Sequence, residues 1–205
     1  LELAALGPAG SIADSASQLL AFAAIATTNL VARSHAAGKA KESARSATVA
    51  IAVAVAGGVA LAIVTLIFAK SAAVLYCGAG SPLIAPTLEA IRIRVAAFPA
   101  ATLSLVASAV CLGTKDSRTP LAAILLAAVI NLCGDFAFVC VFGWGLRGAA
   151  WATSISQYCS ALLLLRVLAR RHFLRPKIAS RAERGEALRI LRSIFGFIPF
   201  CYVML

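Results

Sequence analysis

At 205 residues, 61% of them hydrophobic and only 13% charged, the chain has too few polar side chains to cover the surface of a soluble domain. Its mean hydropathy of +0.94 and net charge of +11 describe a protein whose main solvent is lipid and whose basic residues lie between apolar runs. That placement speaks against a nucleic-acid partner, which would need the Lys and Arg residues gathered on one polar, folded surface.

A membrane-spanning helix takes about 20 mostly apolar residues. Five stretches meet that length in chain order. The first runs from about Ser11 to Val31 and carries Asp14, Gln18 and Asn29. The second, Ser46 to Ala69, has no charge and contains Gly57-Gly58. The third begins near Ile91 and is uncharged from Val95 to Thr114, with Pro99 inside it, so a kink near Pro99 is expected. The fourth, Thr119 to Phe142, holds one charge, Asp135, and the fifth runs from Gly148 to Leu165. A further apolar run opens near Ile194. These segments exceed strand length and lack the alternation of a barrel wall, and a helix satisfies its own backbone in lipid. The expected fold is therefore all-α: a polytopic helical membrane protein, with the lipid bilayer as its surroundings.

The gaps between spans explain the charge. Arg33, Lys39, Lys41 and Arg45 lie between the first two spans, Lys115 and Arg118 between the third and fourth. Arg166, Arg170, Arg171, Arg175, Lys177, Arg181, Arg184, Arg189 and Arg192 follow the fifth. With alternating spans all of these fall on one face, leaving Lys70, Arg92, Arg94 and Arg147 for the other. By the positive-inside rule the basic face is cytoplasmic, or stromal in a plastid. The stretch from Arg166 to Arg192 reads as a basic linker with a short amphipathic helix, Ser180 to Leu191, on the membrane surface. The chain begins at Leu1, has Met204 as its sole methionine and stops inside an apolar run, so it is expected to be a piece of a longer protein.

Few residues carry chemistry. The six cysteines show no C-x-x-C spacing and mostly lie in apolar spans, where they act as small hydrophobes. His35 and His172 have no ligand partners at metal-binding spacing, and no phosphate-binding glycine loop occurs, so neither a metal nor a nucleotide cofactor is expected. Asp135 is different, because an ionisable group at membrane depth is costly unless it faces a cavity, a cation or a proton. Asn131 lies four residues earlier on the same helical face, placed to hydrogen-bond it. In the fifth span Thr153, Gln157 and Ser160 recur on one face with Ser156 beside them, a pattern equally suited to lining a cavity and to gluing helices together. Asp14 and Gln18 form a lesser i, i+4 pair; Asp14 lies near a helix start, where an acid is favourable in any case.

Several of these segments together resemble a known family. The run Leu3-Ala4-Ala5-Leu6-Gly7-Pro8-Ala9, the inter-span motif Gly113-Thr114-Lys115-Asp116-Ser117-Arg118-Thr119-Pro120, the pair Asn131 and Asp135, and Gly148 to Tyr158 are similar in order and spacing to multidrug and toxic compound extrusion (MATE) transporters, most of all to the plant and algal relatives of the DNA-damage-inducible branch. The resemblance implies two six-helix lobes that exchange an organic compound for protons or sodium ions. It implies that residues 1–165 form helices two to six of the first lobe, that 166–192 connect the lobes and that 193–205 open helix seven. Helix one and the second lobe would belong to the rest of the chain. Asn131, Asp135 and Thr153 match three of the four residues of the family's cation or proton site, the fourth being an acid on helix one. Gln157, Ser160, Asp14 and Gln18 are candidate cavity-lining residues. The resemblance places the protein in a membrane, a plastid envelope or the plasma membrane, and gives it transport in place of catalysis.

Two other readings are weighed against this one. A lipid-linked saccharide flippase of the same superfamily would carry basic residues inside its cavity, where these spans carry Asp. An intramembrane lipid-modifying enzyme would cluster His, Asp or Glu at catalytic spacing, and only Asn131 and Asp135 come near that.

Overall fold

The structure, a computed structural model, describes residues 21–171. Asp14, Gln18, the start of the first span, the basic linker beyond Arg171 with its amphipathic Ser180–Leu191, and the apolar run from Ile194 lie outside the described residues. Within them, all regular structure is helical: α1 (Ala21–Ala36), α2 (Ala40–Cys77), α3 (Ile84–Val95), α4 (Phe98–Gly113), α5 (Arg118–Asp135), a π-helical continuation (Phe136–Val141) and α6 (Gly145–Arg170).

Among the described residues three helices are long and apolar enough to cross a membrane, and the bent pair α3–α4 makes a fourth if it is one span; these correspond to the second to fifth expected spans, while α1 holds the end of the first. Their boundaries differ from the expected ones for physical reasons. α2 has 38 residues, so at 1.5 Å per residue it is about 57 Å long against an apolar layer of about 30 Å. Its uncharged middle fits the layer, and the surplus carries Lys41 and Arg45 beyond one face and Lys70 beyond the other. Arg33, Lys41 and Arg45 are therefore helical residues and not loop residues. The last helix likewise continues through Arg170, five residues past the apolar limit expected at Leu165, because Arg side chains extend a helix well outside lipid.

The third span is two helices. α3 and α4 meet at 49° across Ala96-Ala97. Pro99 is the second residue of α4, not a mid-helix residue, and occupies the first turn, where a missing N–H costs least. The break leaves carbonyls without their usual i+4 donors: the Ala97 N–H turns to Arg94 O at 3.0 Å, away from Ile93. α6 supplies replacements. The Tyr158 hydroxyl donates to Ala96 O at 2.6 Å, and the Ser154 hydroxyl, which bonds Ala150 O of its own helix at 2.8 Å, shares its proton with Ile93 O at 3.3 Å. In lipid such substitution is what allows a broken helix to persist.

Packing relies on small residues, as expected where lipid and side chains are equally apolar. One layer joins α1, α2, α4 and α6 through Val31, Ala47, Ile51, Ala54, Leu103, Val106, Val110, Leu164 and Leu168. A second, toward the opposite face, joins α2, α3 and the starts of α4 and α6 through Ala62, Ala69, Ile91, Ile93, Val95, Phe98, Leu146 and Ala150. Gly58 sets the spacing between α2 and α4, since a Cβ there would lie 2.9 Å from the Pro99 Cα and 3.1 Å from Phe98 O. Across the same contact the Thr102 hydroxyl donates to Ala54 O at 2.9 Å.

α5 is different again. Only Pro120 and Ala123 of it are buried, while Leu121, Ile124, Leu125, Val129 and Leu132 are exposed. It packs on α6 as an antiparallel hairpin, and that hairpin positions the polar residues.

Candidate ion and proton site

The hairpin closes tightly because two glycines face their neighbours. A Cβ on Gly134 would come within 2.8 Å of the Ala152 Cβ, and one on Gly148 within 2.9 Å of the Phe138 backbone. The turn at its end uses Gly143 (φ 68°) and Gly145 (φ 54°), conformations glycine reaches without steric cost. Phe138 stacks on Trp144 with ring centroids 5.5 Å apart, and Phe142 joins them, so that the turn is closed by aromatic contacts.

At this close approach Asn131 of α5 meets Thr153 of α6. The Asn131 side-chain amide donates to the Thr153 Oγ1 at 3.2 Å, and the Thr153 hydroxyl donates in turn to Ala149 O at 3.0 Å. The amide hydrogen bond of Asn131 thus goes to Thr153 and not to Asp135, a correction to the pairing suggested by the i, i+4 spacing. Both groups are half-buried.

Asp135 is the last residue of α5, one turn beyond Asn131. Its Oδ1 is buried and has no hydrogen-bond partner. Immediately after it the backbone widens to i→i+5 bonding, with the Phe142 N–H donating to Ala137 O at 2.9 Å. Such π segments commonly sit at functional sites because they rotate the following side chains out of the α-helical register. A carboxylate oxygen buried without a donor is suited to taking up a proton or facing a cation.

The remaining stripe residues divide. The Ser156 hydroxyl donates to Thr153 O at 2.8 Å, Ser160 is buried within the bundle, and Gln157 is half-buried between them. Ser156 thus bonds within its own helix, whereas Thr153 reaches across to α5. No group of three or more metal-ligating side chains lies together among the described residues.

Four contacts between elements go beyond what the apolar pattern and residue spacing mark. Ser154 and Tyr158, on the stripe of α6 next to Thr153, hold the α3–α4 break, and Arg147 pairs with Glu89 of α3 at 2.7 Å. Asp116, in the turn before α5, pairs with Arg171 at 2.8 Å and accepts hydrogen bonds from Thr119. An Asp three residues before a Thr-Pro helix start is a readable capping signal; the bond from Tyr158 to a broken helix has no signature in spacing.

The architecture is that of a multi-pass helical membrane protein. The MatE family model matches residues 1–137, and the chain belongs to that family, the multidrug and toxic compound extrusion transporters, whose members are carriers and not enzymes. Among curated relatives it is 34% identical over 166 residues to protein DETOXIFICATION 47, chloroplastic, of Arabidopsis thaliana, covering 80% of this chain and 31% of that protein. It is 41% identical over 85 residues to Arabidopsis DETOXIFICATION 42, covering 42% of this chain and 16% of the relative. Of solved structures, an inward-facing multidrug resistance MATE family transporter superposes with a TM-score of 0.78 at 22% identity, covering 99% of this chain and 48% of that one. A MATE structure in complex with MaD3S gives 0.79 at 22% identity, covering 99% and 47%. The chain thus spans about a third of the first of these curated relatives and just under half of the solved transporters.

Proposed function

We propose that the protein of which this chain forms part is a secondary antiporter, which exports organic, often cationic or amphipathic, compounds in exchange for protons or sodium ions. The observation that carries the reading is the buried, unpartnered oxygen of Asp135 one turn from the Asn131–Thr153 hydrogen bond, at the point where α5 passes into its π-helical end. In this reading Asp135 alternates between charged and protonated or cation-bound forms. Asn131 and Thr153 keep α5 and α6 in register while it does so. An ion drives the exchange only by binding the two conformations of the transporter with different affinity, and a carboxylate whose surroundings change supplies that difference.

The remainder of the chain would supply a further acid to this site and the second lobe. Gln157 would line the cavity beside Thr153, with Asp14 and Gln18 on the first span. A plastid envelope location is supported by the chloroplastic relatives DETOXIFICATION 47, 44 and 45. The test is gradient-driven efflux of a fluorescent organic cation by the full-length protein in proteoliposomes. Asp135→Asn is expected to abolish efflux at normal expression; undiminished efflux removes the role given to Asp135.

A further inference from the structure

The motif Gly113–Pro120 takes no part in the site around Asp135, yet nearly every residue in it has a structural task. Gly113 lies against α1, where a Cβ would come within 3.0 Å of Thr28 O and of the Val31 side chain. The Thr114 hydroxyl donates to Cys111 O at 2.8 Å, ending α4. Lys115 reverses the chain with φ 61°, and the Asp116 N–H returns to Cys111 O at 2.9 Å. Pro120 is buried in the first turn of α5.

Asp116 sits at the centre of this arrangement. Its Oδ1 accepts the N–H groups of Arg118 and Thr119 at 3.1 and 3.2 Å, so the side chain caps α5. Its Oδ2 accepts the Thr119 hydroxyl and the Arg171 Nη1, the latter at 2.8 Å. The carboxylate side chain is 11% exposed, whereas Arg171 is 51% exposed. Capping requires an acceptor but no charge, and an amide oxygen would serve. The charge is used by Arg171, the residue directly after α6. Lys115 and Arg118 are on the same turn and Arg170 adjoins Arg171, but Arg171 is the cation that reaches the carboxylate among the described residues.

We propose that Asp116 is a positioning residue that ties together the basic-face ends of α4, α5 and α6 and, through Arg171, fixes where the chain leaves the bundle after α6. It anchors α5 at the end opposite Asp135, so the register of α5 on α6, and with it the Asn131–Thr153 contact, is set from this turn. The inference rests on the geometry of the three helix ends; only its transport readout depends on the proposed antiport.

The experiment uses the full-length protein and four variants: Asp116→Asn, which keeps the cap acceptor and loses the charge, Arg171→Gln, both together, and Arg171→Lys. Amide hydrogen exchange is followed in peptides covering 114–121 and 166–171. The expected result is exchange about fivefold faster at 166–171 in Asp116→Asn and in Arg171→Gln, no further increase in the double variant, and recovery in Arg171→Lys. In proteoliposomes the two charge-removing variants are expected to lower the maximal transport rate at unchanged KM, with recovery in Arg171→Lys. Unchanged exchange in Arg171→Gln, or additive effects in the double variant, overturns the tether. Exchange decides this independently of transport: a wild-type protein that moves no substrate counts against the antiport alone.

Discussion

Gly58→Ala tests the packing on which the site is built. The added Cβ would lie 2.9 Å from the Pro99 Cα and 3.1 Å from Phe98 O, and closer still to the Thr102 Oγ1. The first two are backbone atoms at the start of α4, so relief requires α2 and α4 to move apart. Overpacking of this kind costs about 1–3 kcal/mol. The separation would also stretch the 2.9 Å hydrogen bond from Thr102 to Ala54 O, and interhelical bonds in membranes contribute about 0.6 kcal/mol. Against this, replacing Gly by Ala within a helix gains up to about 1 kcal/mol of propensity. With the full propensity gain, the balance is a loss of about 0.6–2.6 kcal/mol. The assay is unfolding of the purified full-length protein in mixed micelles, with Ala60→Val, a substitution on the exposed side of α2, as control. Gly58→Ala should unfold at lower denaturant while the control stays near wild type. Equal or greater stability of Gly58→Ala would show that α2 and α4 do not approach this closely.

Thr153→Val removes the acceptor of the Asn131 amide and is expected to reduce the maximal transport rate with a small stability loss of about 0.6 kcal/mol, whereas Thr153→Ser keeps the hydroxyl and should transport normally; transport rates and melting of the two variants check this. The Thr119 hydroxyl chiefly, opposed by partial burial and aided by the Thr119 and Arg118 N–H groups and the Arg171 guanidinium, holds the Asp116 carboxyl below the usual carboxylate range. A depressed folded-state pKa contributes stability that is present above the unfolded value of about 3.9 and lost as pH falls through the folded value. The stability gap between wild type and Asp116→Asn should therefore be constant from neutral pH to about pH 5 and close below about pH 4 in melting curves. Single cysteines at Lys115 and Lys70, in a protein otherwise free of cysteine, should react with a membrane-impermeant maleimide from opposite sides; labelling of both from one side contradicts the alternation of the spans.

The helical architecture was legible because lipid leaves the chain few options: runs such as Ser46–Ala69 and Thr119–Phe142 are long, uncharged or nearly so, and without alternation. Helix ends were less legible, since hydropathy marks where lipid stops and not where the helix stops. α2 continues through Lys41 and Lys70 into water, and α6 through Arg166 and Arg170. The break before Pro99 was visible as a kink, but its position at Ala96-Ala97 depends on Ser154 and Tyr158, which lie some sixty residues away and come into place only when α6 packs. At the site, spacing put Asn131 and Asp135 on one face. It could not show that Asn131 would spend its amide on Thr153, because that depends on how closely Gly134 and Gly148 let α5 and α6 approach. The π-helical turn after Asp135 carries no marker in Phe136–Val141, whose residues suit an α-helix equally well.

The central claim is that Asp135 couples an ion to the movement of an organic compound. It is tested most directly by measuring both fluxes in the same proteoliposomes: efflux of an organic cation and the accompanying inward movement of protons or sodium ions, for full-length wild type and Asp135→Asn. In wild type one of the two gradients, proton or sodium, is expected to drive substrate uphill with a fixed ratio of ion to substrate, and Asp135→Asn is expected to lose both the uphill transport and the ion flux. Uphill transport by Asp135→Asn at the wild-type ratio would contradict it.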